Sequence, residues 1–270
     1  MRKYISVIVC LFLTGIPLKL FSLNPSGIYS LTPDSLGLNF ETHSIRVNDS
    51  THLKAWKIMP APADDKKTCI VIAGGDAGNM SLYVYHASRL VMKGYTVLTF
   101  DYRGFGESSY FKMNMNFLYC NEFAEDLEKV LQFGKENMPG YKQGVWAFSM
   151  GTLISAIAWQ KQKPDFIIAE GLVYNPFIVS IRLKLLKNKE MLLPEGADKI
   201  PALYAEITCK MLVISGNLDQ ICTLEDSKKV CNSGSGRKLV KFKGDHLQGM
   251  EYFTKKNYGD LYINMIDKFI

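Results

Sequence analysis

The sequence predicts an α/β fold, in which a doubly wound and mostly parallel β-sheet carries helices on both faces. Short apolar runs alternate with longer amphipathic runs along most of the 270 residues, as strands alternate with helices in such folds. The runs that begin at Cys69, Tyr95 and Lys210 have almost no polar positions, which is typical of strands buried on both faces. Two alternating runs near the N-terminus add an antiparallel hairpin at one edge.

The strands follow from these runs in chain order. The hairpin is predicted over residues 40–47 and 53–59, because both segments partly alternate polar and apolar residues on either side of the short connection NDSTH. Six further strands are predicted from the apolar runs, which read CIVIAG, YTVLTFDY, GVWAFS, FIIAEGLVY, KMLVISG and KLVKFKG.

Helices are predicted between these strands. The first begins near Ser81 and ends at Gly94, a residue type that commonly terminates helices. The second covers residues 121–137 and stops before Pro139. A third follows Ser149 directly, has the sequence MGTLISAIAWQKQ and ends before Pro164.

The alternation of strands and helices continues almost to the C-terminus, which predicts one domain. A fourth helix is predicted over residues 224–232. Residues 176–208 do not fit the alternation, and two interpretations are open. They form either a small helical lid insertion above the sheet or one ordinary crossover helix with long loops.

The composition is that of a globular protein, with 47% apolar and 21% charged residues. The formal net charge is +6, and Arg2, Lys3 and Lys19 supply three of these charges. No basic stripe is interleaved with aromatic residues, so nucleic-acid binding is not predicted. The sequence contains neither paired C-x-x-C motifs nor an H-E-x-x-H motif, which are typical of metal-binding sites. No metal site is therefore predicted.

The N-terminus predicts an export signal over residues 1–22. Arg2 and Lys3 precede an apolar run over residues 5–16, which Pro17 ends. A run of this length is short for a bilayer span and suits the apolar region of a signal peptide. An exported protein, periplasmic or secreted, is therefore expected, and an uncleaved N-terminal membrane anchor is the alternative.

The six cysteines give a weaker indication of the compartment. Cys69 and Cys209 begin apolar runs and are predicted to be buried as small hydrophobic residues. Cys222 and Cys231 flank the predicted fourth helix and are candidates for a disulfide, which spacing alone does not establish. Cys120 has no candidate partner.

Three residues suited to hydrolysis follow three different predicted strands, in the order Ser149, Asp219 and His246. The carboxyl ends of parallel strands form one edge of the sheet, where such folds bind ligands. A serine hydroxyl is a weak nucleophile, so an imidazole must take its proton and a carboxylate must orient the imidazole. Ala147 and Gly151 are small enough to permit the sharp strand-to-helix turn that presents a nucleophile.

Four motifs, AFSMG, DYRGFGES, SGNLDQIC and GDH, together resemble the α/β-hydrolase superfamily. The resemblance runs from about residue 35 to the C-terminus. It is strongest to small single-domain serine esterases and to lysophospholipase-like, S33-type members. The resemblance implies that Ser149 is the nucleophile, Asp219 the acid and His246 the base, and that no cofactor is needed.

The same resemblance implies two backbone N–H donors for an oxyanion. One is the N–H of Met150, which follows the nucleophile. The other lies in the loop GGDAGN after the third strand, where Asp76 is the expected donor and Gly75 or Ala77 are the alternatives.

The chain departs from the family pattern at two places. Ala147 replaces the first glycine of G-x-S-x-G, and the pair GG stands where the family has histidine and glycine. The residue after that pair is Asp76, whose carboxylate would oppose an oxyanion unless it points away. An alternative role for the Asp76 carboxylate is to cap the helix that begins near Ser81.

Other motif residues are predicted to be structural. Asp101 and Arg103 are expected to hold loops, and His86 to lie on a helix face. The segment after DYRGFGES is expected either to line an acyl pocket or to join the core, through Met113, Met115, Phe117, Leu118 and Tyr119.

The sequence thus predicts a serine hydrolase that cleaves a carboxylic ester or thioester. Its substrate is expected to be a small-molecule ester or a lipid-like molecule, with transient contact to a membrane surface. One alternative is a catalytically silent binding protein on the same fold, which the carboxylate of Asp76 motivates. The other is an S33-like aminopeptidase, in which Glu170 near a strand end would anchor the substrate amine.

Overall fold

The central β-sheet has eight strands in the computed structural model, which describes residues 22–270. The predicted export signal lies outside these residues, apart from Ser22. A separate two-residue parallel pair joins Asn24–Pro25 to Ala77–Gly78. In chain order the strands of the central sheet are β1 (Asn39–Arg46), β2 (His52–Met59), β3 (Thr68–Ala73), β4 (Thr96–Phe100), β5 (Lys142–Phe148), β6 (Phe166–Glu170), β7 (Lys210–Gly216) and β8 (Arg237–Phe242).

The strands lie side by side in the order β1-β2-β4-β3-β5-β6-β7-β8. β2 pairs antiparallel with both β1 and β4, and the strands from β3 to β8 are parallel to one another. The prediction of a doubly wound, mostly parallel sheet with an N-terminal antiparallel hairpin is therefore confirmed. After β3 the chain places β4 on one side and β5 on the other, and ligands bind at the carboxyl edge where strand order reverses in this way.

Helices cover both faces of the sheet. They are α1 (Val84–Val91), α2 (Cys120–Asn137), α3 (Met150–Ala158), α4 (Pro176–Lys187), α5 (Ile200–Glu206), α6 (Leu224–Asn232), α7 (Gly249–Tyr252) and α8 (Asp260–Phe269), with short 3₁₀ turns at Pro33–Leu36, Pro62–Asp64, Met80–Tyr83 and Ala197–Lys199. Within residues 22–270, none of the helices combines the length and the apolar composition that crossing a membrane requires.

The alternating side chains of β3 show why its sequence is apolar throughout. Cys69, Val71 and Ala73 enter the core cluster that α2 and α3 cover. Ile70 and Ile72 enter a second cluster on the opposite face, which α1 and α8 cover. Both faces of the strand are thus removed from water, so neither face selects polar residues.

Residues 176–208 contain two helices, α4 and α5, with a 3₁₀ turn between them. The side chain of Asn175 caps α4 by accepting the backbone N–H groups of Phe177 and Ile178. On α5, Tyr204 is buried and donates its hydroxyl to the carbonyl oxygen of Val173 at 2.8 Å. The segment thus packs on the body of the domain at both helices.

Cys222 and Cys231, the two candidates for a disulfide, do not pair, and both are free. Cys222 precedes α6, and Cys231 lies in its last turn. At a rise of 1.5 Å per residue, the helix separates them by about 13 Å, whereas a disulfide needs Cα atoms within about 7 Å.

Candidate active site

Ser149 occupies the sharp turn between β5 and α3. Its φ angle is +49° and its ψ angle −116°, a backbone conformation that is rare for residues other than glycine. The backbone N–H of Ser149 donates to the carbonyl oxygen of Glu170 at 2.9 Å, which fixes the turn to the end of β6. A side chain at Gly151 would place its Cβ 2.1 Å from the carbonyl oxygen of Ala73. This close approach of α3 to β3 requires glycine.

The structure brings Ser149, Asp219 and His246 together at the carboxyl edge of the sheet. The Nε2 atom of His246 lies 2.9 Å from the Oγ of Ser149, and its Nδ1 lies 2.6 Å from the Oδ2 of Asp219. A carboxylate can only accept hydrogen bonds. The Nδ1 atom of His246 therefore carries the proton, and Nε2 is left to accept the proton of the Ser149 hydroxyl.

The two oxygens of Asp219 have separate partners. Oδ1 accepts the backbone N–H groups of Ile221 at 2.9 Å and of Cys222 at 2.8 Å, whereas Oδ2 faces His246. The side chain is buried. The loop after β7 therefore holds the carboxylate in position independently of its hydrogen bond to the imidazole.

The pKa of His246 reflects opposing effects. Burial lowers this pKa. The hydrogen bond to Asp219 and the neighbouring Cys222 thiol raise it by a larger amount. The net direction is upward from the ordinary imidazole value. Asp219 therefore favours the protonated imidazole, which is the form that carries charge after a proton has been taken from serine.

Two backbone N–H groups beside Ser149 are available to an anion. Among the described residues, neither Met150 nor Asp76 uses its N–H in a hydrogen bond. The N–H of Gly75 donates to the hydroxyl of Tyr83 at 2.8 Å, so this alternative donor is already engaged. Met150 and Asp76 both line the cavity that contains Ser149.

The Asp76 carboxylate has a cationic neighbour. The Nζ of Lys189 lies 3.8 Å from the Oδ2 of Asp76, which offsets part of the negative charge near the oxyanion donors. The alternative role of Asp76 as a helix cap is wrong. Asn79 takes that role, because its Oδ1 accepts the N–H of Ser81 at 3.0 Å.

Tyr83 was not identified from the sequence, yet it supports the oxyanion loop. A Cβ at Gly74 would lie 2.8 Å from Cε2 of Tyr83, so the first glycine of the GG pair gives room to this ring. Burial raises the pKa of the Tyr83 hydroxyl to about 12, which keeps it neutral and able to accept the N–H of Gly75. Nothing in the spacing of the sequence distinguishes Tyr83 from the other aromatic residues of that segment.

A cavity of about 300 Å³ opens at Ser149 and His246. α4 contributes Val179 and Leu183 to its wall, and Lys187 and Lys189 lie at its edge. Its other aliphatic and sulfur-containing side chains are Leu118, Met150, Leu153, Val173, Met191, Ile221 and Cys222. Most of the wall is thus apolar, and Asp76, Asp245, Lys187 and Lys189 are its charged residues besides His246. A mostly apolar chamber beside a nucleophile suits an apolar substrate group.

Comparison with solved structures shows which fold this chain has. The esterase Pf2001 of Pyrococcus furiosus has a TM-score of 0.73 and 19% identity, over 92% of this chain and 98% of that one. An esterase from Exiguobacterium antarcticum has a TM-score of 0.61 and 17% identity, over 85% of this chain and 99% of that one. A predicted CIB-like hydrolase from Thermoplasma acidophilum has a TM-score of 0.59 and 19% identity, over 86% of this chain and 98% of that one. This protein therefore has the α/β-hydrolase fold.

Sequence comparisons cover a smaller part of this chain. The family model described as serine aminopeptidase, S33, matches residues 64–179. The uncharacterized protein YfhR of Escherichia coli K12 is 34% identical over 105 residues, which are 38% of this chain and 36% of that protein. The match therefore spans about a third of the length of this curated relative. Asp76 and Ser149 lie within the S33 match, and Asp219 and His246 lie beyond it.

Glu170 does not face the cavity beside Ser149. Its buried carboxylate accepts the backbone N–H of Gly249 at 2.7 Å and the hydroxyl of Tyr262 at 2.7 Å. Both oxygens are thus occupied in the protein interior. The expectation that Glu170 anchors a substrate amine is therefore wrong, because the residue forms no part of the cavity wall.

The remaining motif residues hold the scaffold. Asp101 accepts the backbone N–H of Met80 at 2.7 Å, and Arg103 donates from Nε to Asp126 at 2.9 Å. The ring of His86 packs against the aromatic core, and burial lowers its pKa to about 4. Of the segment 113–119, Leu118 alone reaches the described cavity.

Asp219, Cys222 and His246 each bring one potential ligand atom to within 4.8 Å of the others, and they are the described group that could hold a metal ion. In the observed arrangement the Nδ1 of His246 and the Oδ2 of Asp219 are 2.6 Å apart. Two metal–ligand bonds of about 2 Å would require these atoms to separate. The geometry therefore fits the hydrogen-bonded state of the three side chains better than a metal centre.

Proposed function

We propose that this α/β-hydrolase is a serine hydrolase that cleaves a carboxylic ester or thioester through an acyl-enzyme. The observation that carries the proposal is the continuous hydrogen-bonded series from Asp219 through His246 to Ser149, which ends at an apolar cavity. The similarity to esterases of known structure supports the same reaction class.

In the first half of the proposed reaction, the Oγ of Ser149 attacks the carbonyl carbon of the substrate. The Nε2 of His246 takes the serine proton as the new C–O bond forms, and Asp219 stabilises the resulting imidazolium. The carbonyl oxygen becomes an oxyanion that accepts the N–H groups of Met150 and Asp76. His246 then gives its proton to the leaving alcohol or thiol as the ester bond breaks.

In the second half, water replaces the leaving group. The Nε2 of His246 takes a proton from this water, whose oxygen attacks the acyl carbon. The bond between the acyl group and Ser149 breaks, and the serine oxygen recovers the proton from His246. The products are a carboxylic acid and the free enzyme.

The apolar side chains of the cavity wall favour binding of an apolar acyl group. Leu153, Val179 and Leu183 are among the aliphatic side chains that line the chamber beside Ser149. Removing an acyl chain from water into such a chamber is favourable by about 0.8 kcal/mol for each methylene group. The chamber of about 300 Å³ sets an upper limit to the chain length that gains from this transfer.

A series of p-nitrophenyl esters of increasing acyl length tests the proposal. We expect hydrolysis by the wild-type protein and no turnover by Ser149→Ala, with an unchanged circular dichroism spectrum. Ser180→Ala is the matched control, because Ser180 lies on α4, bonds only the carbonyl oxygen of Phe177 among the described residues and does not line the cavity. Full activity in Ser149→Ala would reject the proposal.

The carboxylate of Asp76 also favours a second candidate, a catalytically silent binding protein with the same cavity. A fluorophosphonate probe separates the two. An activated serine becomes labelled, and labelling is lost in Ser149→Ala. Binding of a fatty acid to the wild-type protein without labelling or ester turnover would favour the silent binding protein.

A further inference from the structure

Helix α4 exposes large apolar side chains to solvent next to the cavity. Phe177 is 58% exposed and Leu185 is 78% exposed, and Ile178, Ile181 and Leu186 are exposed as well. Single exposed apolar residues are common, whereas a contiguous group of them marks a surface that meets another apolar partner.

The exposed apolar side chains of α4 and those that line the cavity lie on different faces of the helix. Phe177, Ile181 and Leu185 are four residues apart and therefore lie along one face. Val179 and Leu183 lie on the opposite face, where they line the cavity. The exposed side chains are thus additional to those that the candidate active site uses.

Contacts to the body of the domain hold α4 in this orientation. The Nη1 of Arg182 donates to the carbonyl oxygen of Ile221 at 2.9 Å and forms an ion pair with Asp226. Arg182 thereby fixes α4 to the loop that follows Asp219. Rotating the apolar face inward would break this partly buried ion pair, so the face stays outward.

The charged residues of α4, and of the two residues that follow it, are all basic. Residues 176–189 contain Arg182, Lys184, Lys187 and Lys189 and no acidic residue. Lys184 and Lys187 are exposed and form no ion pair among the described residues. An apolar helix face flanked by lysines is the pattern of helices that lie in the interface of an anionic lipid membrane.

Apolar side chains are also exposed beside the triad. Leu218 and Leu247 are exposed and directly adjoin Asp219 and His246 in the sequence. The exposed apolar surface next to the cavity is therefore not confined to α4.

We propose that α4 docks on an anionic lipid surface and turns the cavity mouth towards it. Ile181 and Leu185 enter the apolar boundary of the lipid, and Lys184 and Lys187 contact the anionic headgroups. An acyl ester can then pass from the lipid into the cavity, and this last step rests on the function proposed above. The docking itself does not depend on catalysis.

Flotation of the full chain with lipid vesicles tests the docking. We expect binding to vesicles of phosphatidylcholine and phosphatidylglycerol in a 7:3 mixture, and about tenfold weaker binding to phosphatidylcholine alone. Ile181→Ser combined with Leu185→Ser should weaken binding to the mixed vesicles by about tenfold or more, because two buried side chains are lost. Met92→Ser is the control, because Met92 is 72% exposed at the end of α1.

The charge contribution has its own pair of variants. Lys184→Glu should weaken binding to the mixed vesicles by about fivefold or more at low salt, and high salt should reduce the difference. Lys238→Glu makes the same change in net charge at an exposed residue of β8 and should leave binding unchanged.

Several outcomes would overturn the docking proposal. The first is equal vesicle binding by the wild type and the Ile181→Ser, Leu185→Ser double variant. The second is an equal loss of vesicle binding in the α4 variants and in their controls. The third is a wild-type dimer that this double variant dissociates. The last would identify the surface as an interface between two copies. Because Ile181 and Leu185 lie outside the cavity wall, the double variant should hydrolyse soluble p-nitrophenyl butyrate normally. Loss of hydrolysis with intact vesicle binding would contradict the proposed function alone.

Discussion

The carboxylate of Glu170 accepts a hydrogen bond from the backbone N–H of Gly249, three residues beyond His246. The carbonyl oxygen of the same Glu170 accepts the backbone N–H of Ser149. One buried residue at the end of β6 therefore connects the turn that carries the nucleophile to the loop that carries the base. Glu170 contacts neither the cavity nor the imidazole nitrogens, so it is a positioning residue.

Replacing Glu170 should alter both stability and turnover. Glu170→Ala leaves the N–H of Gly249 and the hydroxyl of Tyr262 without a buried partner, which should lower the free energy of unfolding by about 3 kcal/mol. Because the His246 loop loses its support, kcat should fall about tenfold with little change in KM. Glu170→Gln keeps an acceptor for Gly249 and should restore most of kcat. Urea unfolding and steady-state kinetics measure the two effects, and equal kcat in both variants would refute the positioning role.

The pH dependence of activity should follow from the raised pKa of His246. Only the neutral imidazole can take the serine proton, so kcat/KM should rise with pH through an apparent pKa above the ordinary value of 6.5. Asp219→Asn removes the carboxylate that raises the pKa, so the rising limb should move to lower pH. The plateau should also fall by about 10³-fold or more, because the tautomer is no longer held.

Initial rates of ester hydrolysis between pH 5 and pH 10 measure this profile. Asp198→Asn is the control, because Asp198 is exposed, lies outside the cavity wall and forms no ion pair among the described residues. A rising limb at the same pH in wild-type and Asp219→Asn proteins would contradict the assignment of Asp219.

Lys189 should protect the oxyanion from the charge of Asp76. Lys189→Ala leaves that carboxylate without its cationic neighbour and should lower kcat by about threefold, a small effect because the pair is partly exposed. Asp76→Asn removes the charge but keeps the backbone N–H, so the double variant with Lys189→Ala should regain the lost rate. Kinetics of the two single variants and the double variant form a complete cycle. Independent, additive effects would show that the pair does not act through charge.

The hydroxyl of Tyr83 should be needed to position the oxyanion loop. Tyr83→Phe leaves the N–H of Gly75 without its acceptor and allows the neighbouring Asp76 to shift, so kcat should fall about tenfold. Labelling by a fluorophosphonate should slow by a similar factor, because that reaction uses the same donors. Tyr85→Phe makes the same chemical change at a hydroxyl without a hydrogen bond among the described residues, and it should be silent. Equal rates in both variants would remove Tyr83 from the positioning role.

Local sequence patterns predict those strands and helices whose formation depends mainly on their own residues. The continuous apolar run at residues 68–73 indicated a doubly covered strand because each side chain independently loses contact with water. Residues 224–232 were predicted as a helix and form α6 with the same bounds. The sequence of segment 176–208 is compatible with two interpretations. The pattern of its apolar and basic residues does not specify which parts of the domain its helices contact.

The sequence by itself determined the order of the strands along the chain and which polar residues stand after them, including Ser149, Asp219 and His246. Only the tertiary structure decided that those three side chains meet, that Lys189 faces Asp76 and that Cys222 and Cys231 stay apart. The physical reason is the range of the interactions. Burial and helical periodicity act within a few residues, whereas an ion pair or a hydrogen bond between side chains depends on which distant segments the packing brings within about 4 Å.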